Sequence, residues 1–150
     1  MSKCLFCKIA VGKIPSYKIW EDKNTLAILD INPNCEGQSL IISKKHFPAD
    51  IFEITANQYL EIMKAAKKVT RLLKRALKVK RVAMILEGMG VNHAHLKLYP
   101  LWGLENEFGA GESPKKVYFK KYPGFVTSQL GPRADFKKLE KLALKIGSGK

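Results

Sequence analysis

Acidic residues are scarce in this chain: 13 Asp and Glu stand against 27 Lys and Arg among 150 residues, a formal net charge of +14. A field of that sign attracts polyanions, meaning nucleotides, nucleic acid or an anionic surface. A lysine-rich solubilising surface accounts for the same charge. Cysteine is scarce too. Cys4, Cys7 and Cys35 make an odd set of three, which argues against a disulfide framework. No apolar run approaches the roughly 20 residues of a membrane span. No internal repeat or low-complexity linker interrupts the sequence. The N-terminal "MSKCLFCKIAVGK" has no signal-peptide apolar core, so the expectation is a cytoplasmic protein without membrane contact. With 46% hydrophobic residues, a chain of this length suits one domain, residues 1–150, with a real core.

Histidine is the third scarcity: His46, His93 and His95 are the whole set. Two of them fall in "GVNHAHLKLYP", residues 90–100. Alternate residues of a strand share a face, so His93, His95 and Lys97 should point one way. Ala94, Leu96 and Leu98 should point the other way, into a core. Imidazole suits nucleophilic, acid–base and metal-binding work at neutral pH. A satisfied core histidine is the ordinary alternative for one such residue; two neighbours on one face shift the balance toward chemistry. Cys4-x-x-Cys7 adds a metal or redox candidate. Two thiolates and two imidazoles would make a closed tetrahedral zinc site. The alternative is two small residues buried at a helix end.

The rest of the chain supplies the frame. "CLFCKIAVG" reads as a short helix ending at Gly12, with Phe6 and Ile9 inward. "YKIWED", "TLAILDI" and "QSLIIS" are short β-prone runs joined by turn-like connections, which suggests an antiparallel meander. From Thr55 the period becomes helical, with Tyr59, Ile62, Ala66, Val69, Leu73 and Ala76 as one buried stripe. Lys64, Lys67, Lys68, Arg71, Lys74, Arg75 and Lys78 fall largely off it, either as a solvated face or as a surface for phosphate backbones. "RVAMILEG" and "HAHLKLYP" read as further strands. "LWGLENEFGAGESPKKVYFKKYPGF" is a long aromatic segment suited to a loop or hairpin over a site. Ala134 to Ile146 reads as a C-terminal helix with Phe136, Leu139, Leu142 and Ile146 inward. The fold class is therefore α+β: about five antiparallel strands, one long helix and a C-terminal helix.

In order, "CLFCKIAVGKIPSYKIWED", "LAILDINPNCEGQSLIISKKH", the long helix and "HAHLKLYP" resemble the histidine-triad (HIT) family of nucleotide hydrolases and transferases. The likeness is to its small Hint-like bacterial and archaeal members, and it runs from Cys4 to about Pro100, leaving 101–150 as a C-terminal extension. The family motif is His-x-His-x-His, whose middle histidine attacks the α-phosphate of a nucleotide. The resemblance assigns that role to His95. It implies a structural zinc on Cys4, Cys7, His46 and His93. It also implies a base pocket from Leu5, Phe6, Ile9, Ile14, Ile28 and Ile31, with Asp30 on the ribose hydroxyls. Plain core packing is the alternative for the apolar set. A purine nucleotide or nucleotide conjugate is the implied ligand, and a homodimer with a joined sheet the implied assembly.

Two departures from the family pattern stand out. The third motif histidine is Lys97, an ammonium that donates to phosphate oxygens but cannot accept. The Gly-Gln-Ser/Thr-Val before the motif is here Gly88-Met89-Gly90-Val91. Backbone N–H groups at Gly88 and Gly90 are the candidate substitutes for the lost side-chain donors. Three readings follow: a HIT-type hydrolase or nucleotidyl transferase, a nucleotide-binding module without turnover, and a HIT enzyme acting on nucleic-acid ends. A catalytic zinc hydrolase fits poorly, because four protein ligands leave no open position for water.

Overall fold

A computed structural model describes residues 3–104, 115–127, 132–138 and 146. The chain divides into two compact units, Met1–Gly109 and Ala110–Lys150. The first unit holds α1 (Leu5–Ala10), β1 (Lys18–Glu21), β2 (Thr25–Leu29), β3 (Ser39–Ser43), α2 (Ala56–Leu77), β4 (Arg81–Ile85) and β5 (His95–Leu101). The α+β class follows directly.

The five strands form one antiparallel sheet in the order β1-β2-β3-β5-β4. The expected meander holds for β1 to β3. After β3, α2 carries the chain to the far edge, and β5 returns between β3 and β4. β5 is thereby interior, which its composition supports: Ala94 just before it, and Leu96 and Leu98 within it, are fully buried. Those residues face α2 together with Ala27 and Ile41.

The helix forms where the period predicts, and its start is well specified. Thr55 caps it: its hydroxyl accepts from the Gln58 N–H (3.3 Å), and the Gln58 side chain accepts from the Thr55 N–H (2.9 Å). This reciprocal pair satisfies two donors that a helix start otherwise leaves orphaned. Ile62, Ala65, Ala66, Val69 and Leu73 are the buried stripe. Tyr59 and Ala76, expected in it, are exposed. A 22-residue helix runs about 33 Å, longer than the strands beneath it, so its end turns overhang the sheet.

The second sheet face carries Phe6 of α1 against Leu26, Ile28, Leu40 and Ile42, with Ile9 and Val91 at its margin. The two faces thus have separate cores: α2 covers one, and α1 covers part of the other. In the second unit, Phe119 and Phe125 meet edge to face at 5.7 Å, and residues 115–127 carry no strand, so of the two expectations, loop or hairpin, the described residues show a loop. Of the expected C-terminal helix, Phe136–Lys138 and Ile146 are helical; Leu139 and Leu142 lie outside the described residues. Phe136 and Ile146 are exposed, not inward. The Phe136 ring meets the Arg133 guanidinium at 4.8 Å instead of an apolar layer.

Candidate active site

The register of the sheet sorts the candidate residues into rows. Leu26, Ile42 and His95 are cross-strand neighbours; so are Ile28, Leu40, Lys97 and Ile85. Asp30, whose N–H donates to the Gln38 carbonyl at 3.0 Å, continues the same face one row further. Tyr99, two residues beyond Lys97, shares that face. The alternation expected for His95 and Lys97 is therefore present. His93 differs, because it lies in a bend two residues before β5 begins. Its ring is nonetheless fully buried. The Ala94 N–H donates to the Phe47 carbonyl at 3.0 Å and the Ala94 carbonyl accepts from Ser43 N–H at 3.2 Å, which holds the bend.

His93 faces two ways. Its Nδ1 lies 3.4 Å from Cys4 Sγ and 3.6 Å from Cys7 Sγ. Its Nε2 lies 2.7 Å from the Ser43 carbonyl oxygen. A carbonyl only accepts, so Nε2 carries the proton and Nδ1 presents its lone pair to the cysteines. His46 Nδ1 is 3.4 Å from Cys7 Sγ. The donor atoms of Cys4, Cys7, His46 and His93 all lie within 4.8 Å of one another. These four residues form a cluster that could hold a metal ion. Ser43 anchors the far side of the His93 ring, the kind of outer contact that orients metal-binding imidazoles.

His95 is held by the same logic. Its Nδ1 lies 2.7 Å from the His93 carbonyl oxygen, so Nδ1 is the protonated nitrogen and Nε2 keeps its lone pair. Phe6 packs edge-on against both rings, at 5.7 Å from His93 and 5.1 Å from His95. Burial lowers the His95 pKa, opposed by the bond to the His93 carbonyl; the Lys97 cation lowers it further and Glu87 opposes that. The balance favours neutral imidazole. The residue is 4% exposed, so the ring lies largely out of bulk water.

Lys97 pairs with Glu87 at 3.1 Å; the two side chains are 27% and 10% exposed. The sequence gives no hint of this partner, since it sits ten positions upstream and only the β4–β5 register brings it near. Asp30 accepts from the Asn32 N–H at 2.9 Å and from the Gln38 amide at 2.8 Å, one bond per oxygen, which leaves acceptor capacity on each. The apolar set splits. Phe6 and Ile28 are core, Ile9 and Ile14 half-buried, and Leu5 and Ile31 exposed. Gly88 and Gly90 take positive φ, +69° and +85°. A Cβ at Gly88 would meet the Ala49 carbonyl at 3.1 Å, so glycine there serves a close backbone crossing. A hollow of about 400 Å³ lined by Ile19, Leu29, Leu72 and Leu73 lies under α2, against the opposite sheet face from His95.

The sequence profile of the HIT domain matches residues 11–100. The chain belongs to the HIT family. As a HIT protein it is 32% identical to an uncharacterized HIT-like protein of Methanocaldococcus jannaschii over 108 residues, covering 69% of this chain and 83% of the relative. It is 36% identical to the adenosine 5′-monophosphoramidase of Saccharomyces cerevisiae over 103 residues, 65% of this chain and 61% of the relative. A crystal structure from Streptococcus mutans superposes with TM-score 0.70 at 30% identity, covering 99% of this chain and 86% of the other.

The Glu87–Lys97 pair yields a stability test. Glu87→Gln leaves a half-buried ammonium without its anion and should cost about 1–3 kcal/mol in urea unfolding. An unchanged midpoint would mean that the pair contributes nothing in solution.

Proposed function

We propose that this HIT protein is a nucleotide hydrolase or nucleotidyl transferase that works at the α-phosphate through a nucleotidyl–His95 intermediate. The observation that carries the reading is the His95 ring itself: Nδ1 tied to the His93 carbonyl at 2.7 Å, and Nε2 left with a lone pair. Nε2 attacks phosphorus and forms an N–P bond. The bond from phosphorus to the leaving group breaks, and that group departs with the electron pair and takes up a proton. Water, or another acceptor in a transferase, then attacks phosphorus. The N–P bond breaks, and neutral His95 and a nucleoside monophosphate are released. Two displacements replace one difficult step. The His93 carbonyl steadies the positive charge on the ring while the bond exists. Lys97 sits in the next row of the same face and offsets charge on the phosphate oxygens. Phe6, Ile28 and Ile9 floor the base end, Leu5, Ile14 and Ile31 flank it, and Asp30 accepts from the ribose. Gly88 and Gly90 supply backbone donors. The name of the yeast relative, an adenosine 5′-monophosphoramidase, supports a purine nucleotide conjugate as substrate.

Zinc suits the cysteine–histidine cluster. With Zn–S near 2.3 Å and Zn–N near 2.0 Å, a sulfur and a nitrogen on one tetrahedron stand about 3.6 Å apart. The observed S–N separations are 3.4, 3.6 and 3.4 Å. Bound there, the ion would be a structural cross-link, because four protein ligands close the coordination shell. Cys4 and Cys7 would tie α1 to the bend that carries His93, and so fix the carbonyl that orients His95. A homodimer belongs to the same reading, with the edge strand β4 as the joining element.

The competing reading is nucleotide binding without turnover. It is favoured by Lys97, whose ammonium is already engaged by Glu87. Incubation with an adenosine phosphoramidate and with a diadenosine polyphosphate separates the two. Wild type should release AMP at least 1,000-fold faster than His95→Asn; equal rates across such substrates, with AMP still bound, would establish the binding module. Metal analysis of purified protein should give about one zinc per chain, and Cys7→Ser or a strong chelator should remove it and lower Tm by several degrees. A metal-free protein of unchanged Tm would contradict the zinc assignment.

A further inference from the structure

The exposed face of α2 has no part in the chemistry above, yet it carries a long run of like charge. Lys64, Lys67, Lys68, Arg71, Lys74, Arg75 and Lys78 are all exposed. At about 100° per residue, the six from Lys64 to Arg75 fall within an arc of about 120°, and Lys78 is the left-handed C-cap residue just beyond the helix. Ile62, Ala65, Ala66, Val69 and Leu73 occupy the opposite side, against the sheet. The helix is thus divided lengthwise into an apolar half and a cationic stripe about 21 Å long.

Among the described residues, none of the seven forms an ion pair. Glu61 is the one carboxylate in α2, and it accepts from Asn24 at 2.8 Å. Lys68 lies 5.5 Å from the Trp20 ring centre, a contact that leaves its charge uncompensated. A surface helix stabilised for solubility mixes signs, with carboxylates four residues from lysines. This one does not, and seven like charges at i, i+3 and i+4 repel one another.

We propose that the outer face of α2 is a docking surface for the sugar–phosphate backbone of duplex nucleic acid, read without sequence preference. Five of the seven cations are Lys, compact point charges suited to phosphate contacts, which position a protein without carrying sequence information. No residue between Lys64 and Lys78 is aromatic, and the Trp20 ring beside Lys68 is half-buried, so the row of stacking platforms on which single strands lie is not built here. Along one strand of a duplex the phosphates are spaced by about 3.4 Å of axis, and seven cations over about 21 Å have a similar mean spacing. The surface lies on the other side of the sheet from His95. It therefore holds the protein on a polyanion and does not feed strand ends to the nucleophile.

The test is fluorescence anisotropy with a labelled 20-base-pair duplex of arbitrary sequence, from about 50 to 200 mM salt. Binding should weaken with a log–log slope of about −4 to −6, because each neutralised phosphate contributes about −0.9. Changing Lys67, Arg71, Lys74 and Arg75 together to Glu should reduce affinity at least 30-fold and flatten the slope by about 3. AMP release from a small substrate should be unchanged. A Gln version of the same four changes covers the case in which four reversals unfold the helix. A charge-matched control, Lys116, Lys120, Lys121 and Lys138→Glu, should keep most of the affinity. Equal losses in control and stripe variants would overturn the proposal, as would tighter binding to the single strand or to anionic vesicles than to duplex.

Discussion

The hydrogen bond from His95 Nδ1 to the His93 carbonyl, 2.7 Å long, is the constraint on which the site depends. It selects the tautomer, aims Nε2, and gives the ring a fixed acceptor for any positive charge it acquires. The same residue supplies both ends of the arrangement: the His93 side chain belongs to the cysteine–histidine cluster, and its backbone carbonyl holds the His95 ring. Whatever locates His93 locates His95. Ser43 does so from one side, through its carbonyl and the ladder to Ala94, while Cys4, Cys7 and the Phe6 ring close the other.

The sheet makes this local arrangement affordable in packing terms. β5 alternates between two sheet faces, with Leu96 and Leu98 under α2 and His95 and Lys97 on the face that α1 partly covers. A one-residue slip would exchange the two sets. Seating β5 between β3 and β4 prevents that slip, since both neighbours are paired in register over most of its length. The cationic face of α2 is the remote end of the same division, because a helix with one buried stripe leaves the opposite stripe free for another use.

Much of this was legible in the sequence. Period-two alternation located His95 and Lys97 on one face and Leu96 and Leu98 on the other. The i, i+3, i+4 pattern located α2, and the Cys-x-x-Cys spacing raised a metal site, whose four residues only the family resemblance named. What escaped depended on pairing between distant segments. Glu87 meets Lys97 only because β4 docks on β5 in one register, and nothing in the local sequence states that register. The bend at His93 follows from Ser43 and Phe47, some 50 residues earlier. Tyr59 and Ala76 obey the helical period yet stay exposed, because the period says which side of a helix is inward and not how far the sheet beneath it extends. Phe136 and Ile146 fail for a related reason: amphipathic spacing presumes a partner surface that it cannot name.

The central claim is that His95 Nε2 forms a bond to phosphorus. Intact-mass analysis after rapid mixing with a panel of adenylated phosphoramidates and acid-free quenching tests it most directly. The account predicts a mass increase of one adenylyl group, mapped to His95 by peptide sequencing, labile to acid and absent from His95→Asn. AMP release at full rate by the His95→Asn protein, or an adduct mapped to any other residue, would contradict it.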